Sequence, residues 1–196
     1  MKQSAKKKLT AIDLFCGAGG LSKGFQDAGA EVLAGFDNDS EALETFKFNF
    51  TSSEAISEDL SQLNPRLFRD YQNVDVILGG PPCQGFSIAG KRKADDPRNS
   101  LTKSYLDIVQ IICPKFVVIE NVPNILGLDG GSYAKAIIAG LEDLNFHVQV
   151  HKLNAADFGV PQNRRRVFFV ASRNKIDLAT LLETKKVEAV VTTEQA

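Results

Sequence analysis

The sequence lacks any apolar run of the roughly 18–20 residues that a membrane-spanning helix needs, so no membrane role is expected. It has only three cysteines, Cys16, Cys83 and Cys113, an odd number without C-x-x-C spacing. Neither a disulfide framework nor a zinc site is expected, and no metal ligand set is read. It also lacks an excess of either charge: 23 Lys and Arg against 24 Asp and Glu leave a net −1. A whole-surface basic field is absent, so any polyanion must be met by local clusters. The start, Met1-Lys-Gln-Ser-Ala-Lys-Lys-Lys8, is basic, but the apolar run after it ends at Asp13. That is too short for a secretory h-region, and a reduced, cytoplasmic chain is the expectation. No internal repeat, low-complexity block or evident linker occurs.

What is present is ordinary globular composition, 43% hydrophobic and 24% charged, which excludes disordered and fibrous classes. The 196 residues fit one domain. Short β-branched runs alternate with helical stretches. Strands are expected over 9–15, 31–36, 74–78, 116–119, 146–153 and 167–171. Helices are expected from the glycines after Cys16 to about Ala28, and over 40–50, 101–113 and 132–144. Ala42, Phe46 and Phe50 mark the buried face of the second helix. The order implies βαβ units and an α/β, Rossmann-like fold with a mostly parallel sheet. The last two strands leave no room for a crossover helix, so they are expected to pair antiparallel. Residues 1–8 read as a basic arm, 9–173 as the folded body, and 174–196 as a tail or severed connection.

In open parallel sheets, ligands sit at the carboxyl ends of the strands. The first such end is Asp13-Leu-Phe-Cys-Gly-Ala-Gly-Gly20, whose glycines let the backbone approach a ligand. Asp37 closes the second strand and is placed to accept hydrogen bonds from a ribose diol. The dinucleotide fingerprint is broken, because Ser22 stands where its third glycine belongs. An adenosine without phosphates fits better, and S-adenosylmethionine is one. The bland alternative is a glycine turn that only packs helix on strand. An acid at each strand end weighs against it.

Pro81-Pro82-Cys83-Gln84-Gly85 follows another strand end, where the prolines fix the backbone and present Cys83. A buried thiol is ordinarily a small hydrophobe, a reading that suits Cys113 and Cys16. Glu120 follows the apolar run Phe116–Ile119 and is a candidate half-buried proton donor. A structural acid capping a nearby loop is the plainer alternative. A thiol and an acid at adjacent strand ends suggest nucleophilic catalysis with acid assistance. His147 and His151 lie along one expected strand as ordinary sheet residues, which disfavours a Cys–His hydrolase.

Four segments in order, Asp13-Leu-Phe-Cys-Gly-Ala-Gly-Gly20, Pro81-Pro-Cys-Gln84, Glu120-Asn-Val122 and Gln162-Asn-Arg-Arg-Arg166, resemble the DNA (cytosine-5)-methyltransferase family. The resemblance runs from about Leu9 to Arg173. It implies that residues 9–173 are a partial catalytic domain with the S-adenosylmethionine-dependent methyltransferase fold. Phe15, Gly17, Gly19 and Gly20 would line the cofactor pocket. Asp37 falls where the family's ribose-binding acid, usually Glu, stands. Asn38 replaces an apolar residue that often packs on adenine. Asp59 and Leu60 resemble the adenine-reading acid and its neighbour, and Pro82 and Leu101 further walls of the pocket. Cys83 would attack cytosine C6, Glu120 would hydrogen-bond N3 and the exocyclic amine, and Arg164 and Arg166 would brace both. Ser87, Lys91 and Arg92 would meet DNA phosphates.

The family normally continues into a target-recognition region and a segment that returns to the cofactor pocket. The resemblance therefore implies a fragment, or a catalytic subunit whose partner chain reads the DNA. Restriction–modification is the family-level role. An RNA cytosine-5 methyltransferase and a non-catalytic S-adenosylmethionine-binding module are the alternatives. No Cys-Phe-Thr tripeptide of the tRNA-acting branch occurs.

Overall fold

The computed structural model describes residues 7–82 and 99–187. They fall into two compact units, residues 7–81 with 99–117 and residue 82 with 118–187. The first unit holds β1 (Thr10–Leu14), α1 (Gly20–Asp27), β2 (Glu31–Asp37), α2 (Ser40–Asn49), β3 (Glu54–Ser57), β4 (Val76–Gly79) and α3 (Asn99–Ile112). The second holds most of β5 (Phe116–Asn121), then α4 (Ser132–Asp143), β6 (His147–Asn154), β7 (Arg165–Ser172) and α5 (Leu178–Glu183). The strand order is β3-β2-β1-β4-β5-β7-β6. β1 pairs parallel with β2 and β4, and β2 with β3. β6 and β7 pair antiparallel from His147↔Ser172 to Asn154↔Arg165. The expected α/β architecture and its antiparallel pair are therefore present. Among the described residues no helix is long and apolar enough to cross a membrane.

In the first unit, β1 is central and buried on both faces: Ala11, Ile12 and Leu14 are fully buried. α2 starts where the Asp39 side chain accepts from the Glu41 and Ala42 amides, at 3.0 and 3.1 Å. It buries Leu43 and Phe46, and Phe50 follows at its C-cap. Ala42, expected on that face, is only half-buried. The Phe46 and Phe50 rings stack at 4.5 Å and pack with Cys16 and Val32. On the other side of β2, Phe36 meets Phe68 and Tyr71 of the 3-10 turn Pro65–Tyr71. Neither that turn nor β3 was signalled by periodicity, because β3 has four residues and a mixed burial pattern.

At the amino ends of the same strands, Asp75 is a buried clasp. Its carboxylate accepts from the Thr10 amide at 3.1 Å, the Thr10 hydroxyl at 3.2 Å and Lys115 Nζ at 2.6 Å. Its carbonyl accepts from the Lys115 and Phe116 amides. One residue thereby ties the start of β1 to the start of β5. The Lys115 bond leads in holding the carboxyl below the usual carboxylate range. In the second unit, residues after Asn174 are not patternless. α5 forms there, its N-terminus capped by Asp177 on the Thr180 amide.

Asp75→Asn is expected to cost about 1–3 kcal/mol of unfolding free energy at pH 7, the scale of lost hydrogen bonds to a buried charge. The folded-state value lies below the unfolded one, so the contribution is present above the ordinary carboxylate range. It is lost as pH falls through the lowered folded value. Urea unfolding of both proteins at pH 7 and at acid pH checks this: the gap at pH 7 narrows as pH falls below the ordinary carboxylate value.

Candidate active site

The carboxyl end of β1 runs into a turn built from left-handed residues: Phe15 (φ 61), Gly17 (φ 52) and Gly19 (φ 90). Five residues must reverse a buried strand into α1, and repeated positive φ does it. Gly19 also leaves room that a Cβ would take from the Phe46 and Phe50 rings. Phe15, a non-glycine in this region, is a strained position of the kind found at ligand sites. The turn is pinned by Cys16 N to Phe36 O at 3.1 Å and Gly19 N to Cys16 O at 2.9 Å. Asp37, at the end of β2, accepts from the Gly17 amide at 2.8 Å and the Asp39 amide at 3.0 Å. Two backbone donors thus fix a half-exposed carboxylate beside the glycine turn. Space around Gly17 and Gly20 is open, since a Cβ at either would meet nothing within 4 Å. α1 begins at Gly20 with no side-chain cap on its N-terminus.

The other cofactor candidates lie as follows. Asn38 and Asp59 are exposed and Leu60 is buried. The Ser61 side chain, and then its amide at 3.0 Å, hold the Asp59 carboxyl below the usual range. Leu101 is half-buried in the first turn of α3 and Pro82 is exposed. Cys83, Ser87, Lys91 and Arg92 lie outside the described residues.

The second unit assembles its own group. Glu120, near the end of β5, keeps a quarter of its side chain exposed. Arg166 Nε stands 2.8 Å from Glu120 Oε1, and Arg164 Nη2 stands 3.7 Å from the same oxygen. Arg166 Nη1 also donates to the Arg165 carbonyl at 2.8 Å. Alternation at the start of β7 turns the exposed Arg165 side chain away from this pair. Arg164 is half-exposed, so its longer pairing is screened and weak; Arg166 is the principal partner. Among the described residues nothing else binds Glu120 Oε2, which leaves an acceptor for a ligand. His151, on β6, has Nε2 3.3 Å from Gln149 Oε1, and burial lowers its pKa.

A buried acid beside the β1–α1 turn escaped sequence reasoning. Asp13 was read as part of a glycine turn, yet its carboxyl is buried at 1% exposure. Burial raises its pKa to about 7, opposed by the Ser22 hydroxyl, which donates at 2.6 Å. The signal available was Ser22 itself, at the place where the dinucleotide pattern has glycine.

The model of the C-5 cytosine-specific DNA methylase family matches residues 9–195. The type II methyltransferase M.AgeI of Thalassovita gelatinovora is 40% identical over 86% of this chain and 41% of its own length. M.AquIA of Picosynechococcus is 38% identical over 86% of this chain and 73% of its own length. A solved DNA-modification protein encoded within an E. coli prophage superposes with a TM-score of 0.79 at 31% identity. It covers 94% of this chain and 53% of its own. The chain thus spans less than half the length of M.AgeI and about half that of the prophage protein.

The buried acid makes a prediction. Asp13 binds its proton more tightly folded than unfolded, so stability falls as pH rises from about 4 to about 7. Asp13→Asn, which still accepts from Ser22, is expected to flatten that decline. Thermal unfolding from pH 4 to pH 8 reads the slope in both proteins.

Proposed function

The chain belongs to the C-5 cytosine-specific DNA methylases, and from that premise we propose that it methylates C5 of cytosine in DNA. The observation that carries the reading is Glu120 held by Arg166 and Arg164 at the strand ends of the second unit. A plain structural acid has no need of two guanidiniums on one carboxylate oxygen while the other has no partner among the described residues.

Cytosine C5 is a poor nucleophile. Attack of the Cys83 thiolate on C6 forms a C–S bond and pushes the ring electrons toward C5. Glu120 hydrogen-bonds N3 and the exocyclic amine, and Arg166 and Arg164 stabilise the charge that shifts there. S-adenosylmethionine, when bound, would supply the methyl group that C5 takes from its sulfonium, the neutral thioether leaving. Loss of the C5 proton to a base then expels Cys83 and restores the aromatic ring. Cytosine is unreachable inside a duplex, so the base must be flipped out, at a cost of about a few kcal/mol. Ser87, Lys91 and Arg92 are proposed to hold the backbone phosphates around it.

The residues of the first unit suit that cofactor. Gly17 and Gly20 leave open space for close approach. Asp37, fixed by two amides, is placed to accept from the ribose hydroxyls. The uncapped start of α1 suits the carboxylate of an amino-acid tail. Phe15, Gly19, Asn38, Asp59, Leu60 and Leu101 of this unit are proposed to complete the pocket. Phosphate contacts position a protein without reading bases. Target recognition is therefore assigned to polypeptide beyond these residues, in the same chain or in a partner. A type II restriction–modification role follows from the named relatives.

Transfer of labelled methyl from S-adenosylmethionine to unmethylated mixed-sequence DNA tests this. Label that the wild type transfers, alone or together with the polypeptide that carries target recognition, is expected to be absent with Cys83→Ser; label that survives the substitution overturns the nucleophile. Asp37→Ala is expected to weaken S-adenosylmethionine binding by about 1–3 kcal/mol, measured calorimetrically. An unchanged dissociation constant contradicts the ribose assignment.

A further inference from the structure

Ser22 lies in the first turn of α1 and is fully buried. Its hydroxyl donates at 2.6 Å to the carboxylate of Asp13 on β1, itself 1% exposed. Ser22 is the one buried residue of α1, whose large apolar residues Leu21 and Phe25 are only half-buried. Apolar packing therefore holds the start of this helix weakly, and a short, directional bond to a central strand fixes it instead. The Ser22 amide faces the same carboxylate: the hydroxyl, and then the amide, oppose the rise that burial imposes on Asp13. In dinucleotide-binding turns the third glycine lets helix and strand pack closely. At the corresponding place this chain carries a hydroxyl that bonds the strand.

A helix leaves the amides of its first turn without intrahelical partners. In α1 the Lys23 amide donates to the Gly19 carbonyl at 2.8 Å, and the Ser22 amide is turned to Asp13. The Gly20 and Leu21 amides stand before them at the positive end of the helix, where no side chain caps it and a Cβ on Gly20 would meet nothing within 4 Å. We propose that Ser22 is a positioning residue for the amino-acid tail of S-adenosylmethionine: its bond to Asp13 sets where these two amides stand against the end of β1. The proposal rests on the reading of this turn as the S-adenosylmethionine site. It adds that the nucleoside and the tail are positioned separately, the nucleoside by Asp37 on β2 and the tail by Ser22.

The test compares two ligands on the full chain by calorimetry at pH 8, where Asp13 is mostly ionised. S-adenosylhomocysteine carries the amino-acid tail; 5′-methylthioadenosine keeps the nucleoside and thioether but lacks it. Ser22→Ala is expected to bind S-adenosylhomocysteine about tenfold more weakly and 5′-methylthioadenosine within about twofold of wild type. Asp13→Ala is expected to show the same selective loss, and the double variant no further loss, because each substitution removes the same bond. Thermal unfolding checks that the variants are folded. Ser22→Cys, close in size with a weaker donor, gives the same test with a smaller loss should Ser22→Ala not fold. Equal losses for both ligands, or no loss for S-adenosylhomocysteine, overturn the role of Ser22 and leave the cofactor reading standing. A wild type that does not prefer the tail-bearing ligand overturns the proposal as well. A wild type that binds neither ligand overturns the cofactor reading and the proposal with it.

Discussion

The reversal of the chain between β1 and α1 is the constraint on which the first unit depends. A fully buried parallel strand ends at Leu14, and α1 starts at Gly20. Only left-handed backbone at Phe15, Gly17 and Gly19 closes that distance. Much of the unit is arranged to hold it. Asp37 clamps the Gly17 amide, the Phe46 and Phe50 rings fill the space that Gly19 leaves, and Ser22 anchors α1 to Asp13. The strain at Phe15 persists because these neighbours over-determine the turn.

The second unit solves a different problem, holding a carboxylate at a strand end so that one oxygen stays available. Arg166 does most of this, being largely covered and within hydrogen-bond distance. Arg164 adds a longer, screened interaction. β7 delivers both because residues two apart along extended chain face the same way, while Arg165 between them faces solvent. The antiparallel register with β6 fixes where that alternation begins.

Strands and helices of ordinary length were legible from periodicity because each buries one continuous face or both. β3 was not, since four edge residues, none of them buried, leave no run to detect. α5 was missed for a similar reason: none of its residues is buried, and an Asp177 cap rather than a core face marks it. The glycine turn, Asp37, Glu120 and the arginine pair were found because each sits at a strand end or in a recurrent segment. Asp13 and Asp75 were not, because burial, and for Asp75 partners far along the chain, give them their importance. Asp75 meets Thr10 and Lys115, separated from it by 65 and 40 positions. No local pattern encodes such contacts.

The central claim is that Cys83 opens the reaction by bonding to cytosine C6. Fluorine at C5 cannot leave as a proton, so a 5-fluorocytosine target should trap the methylated adduct before Cys83 is expelled. The decisive measurement is mass spectrometry of the protein after incubation with S-adenosylmethionine and a duplex carrying that base. The account predicts a covalent protein–DNA species that maps to the peptide containing Cys83. Methyl transfer to ordinary DNA without any trapped species on the fluorinated duplex, or a species mapping to Cys16 or Cys113, contradicts it.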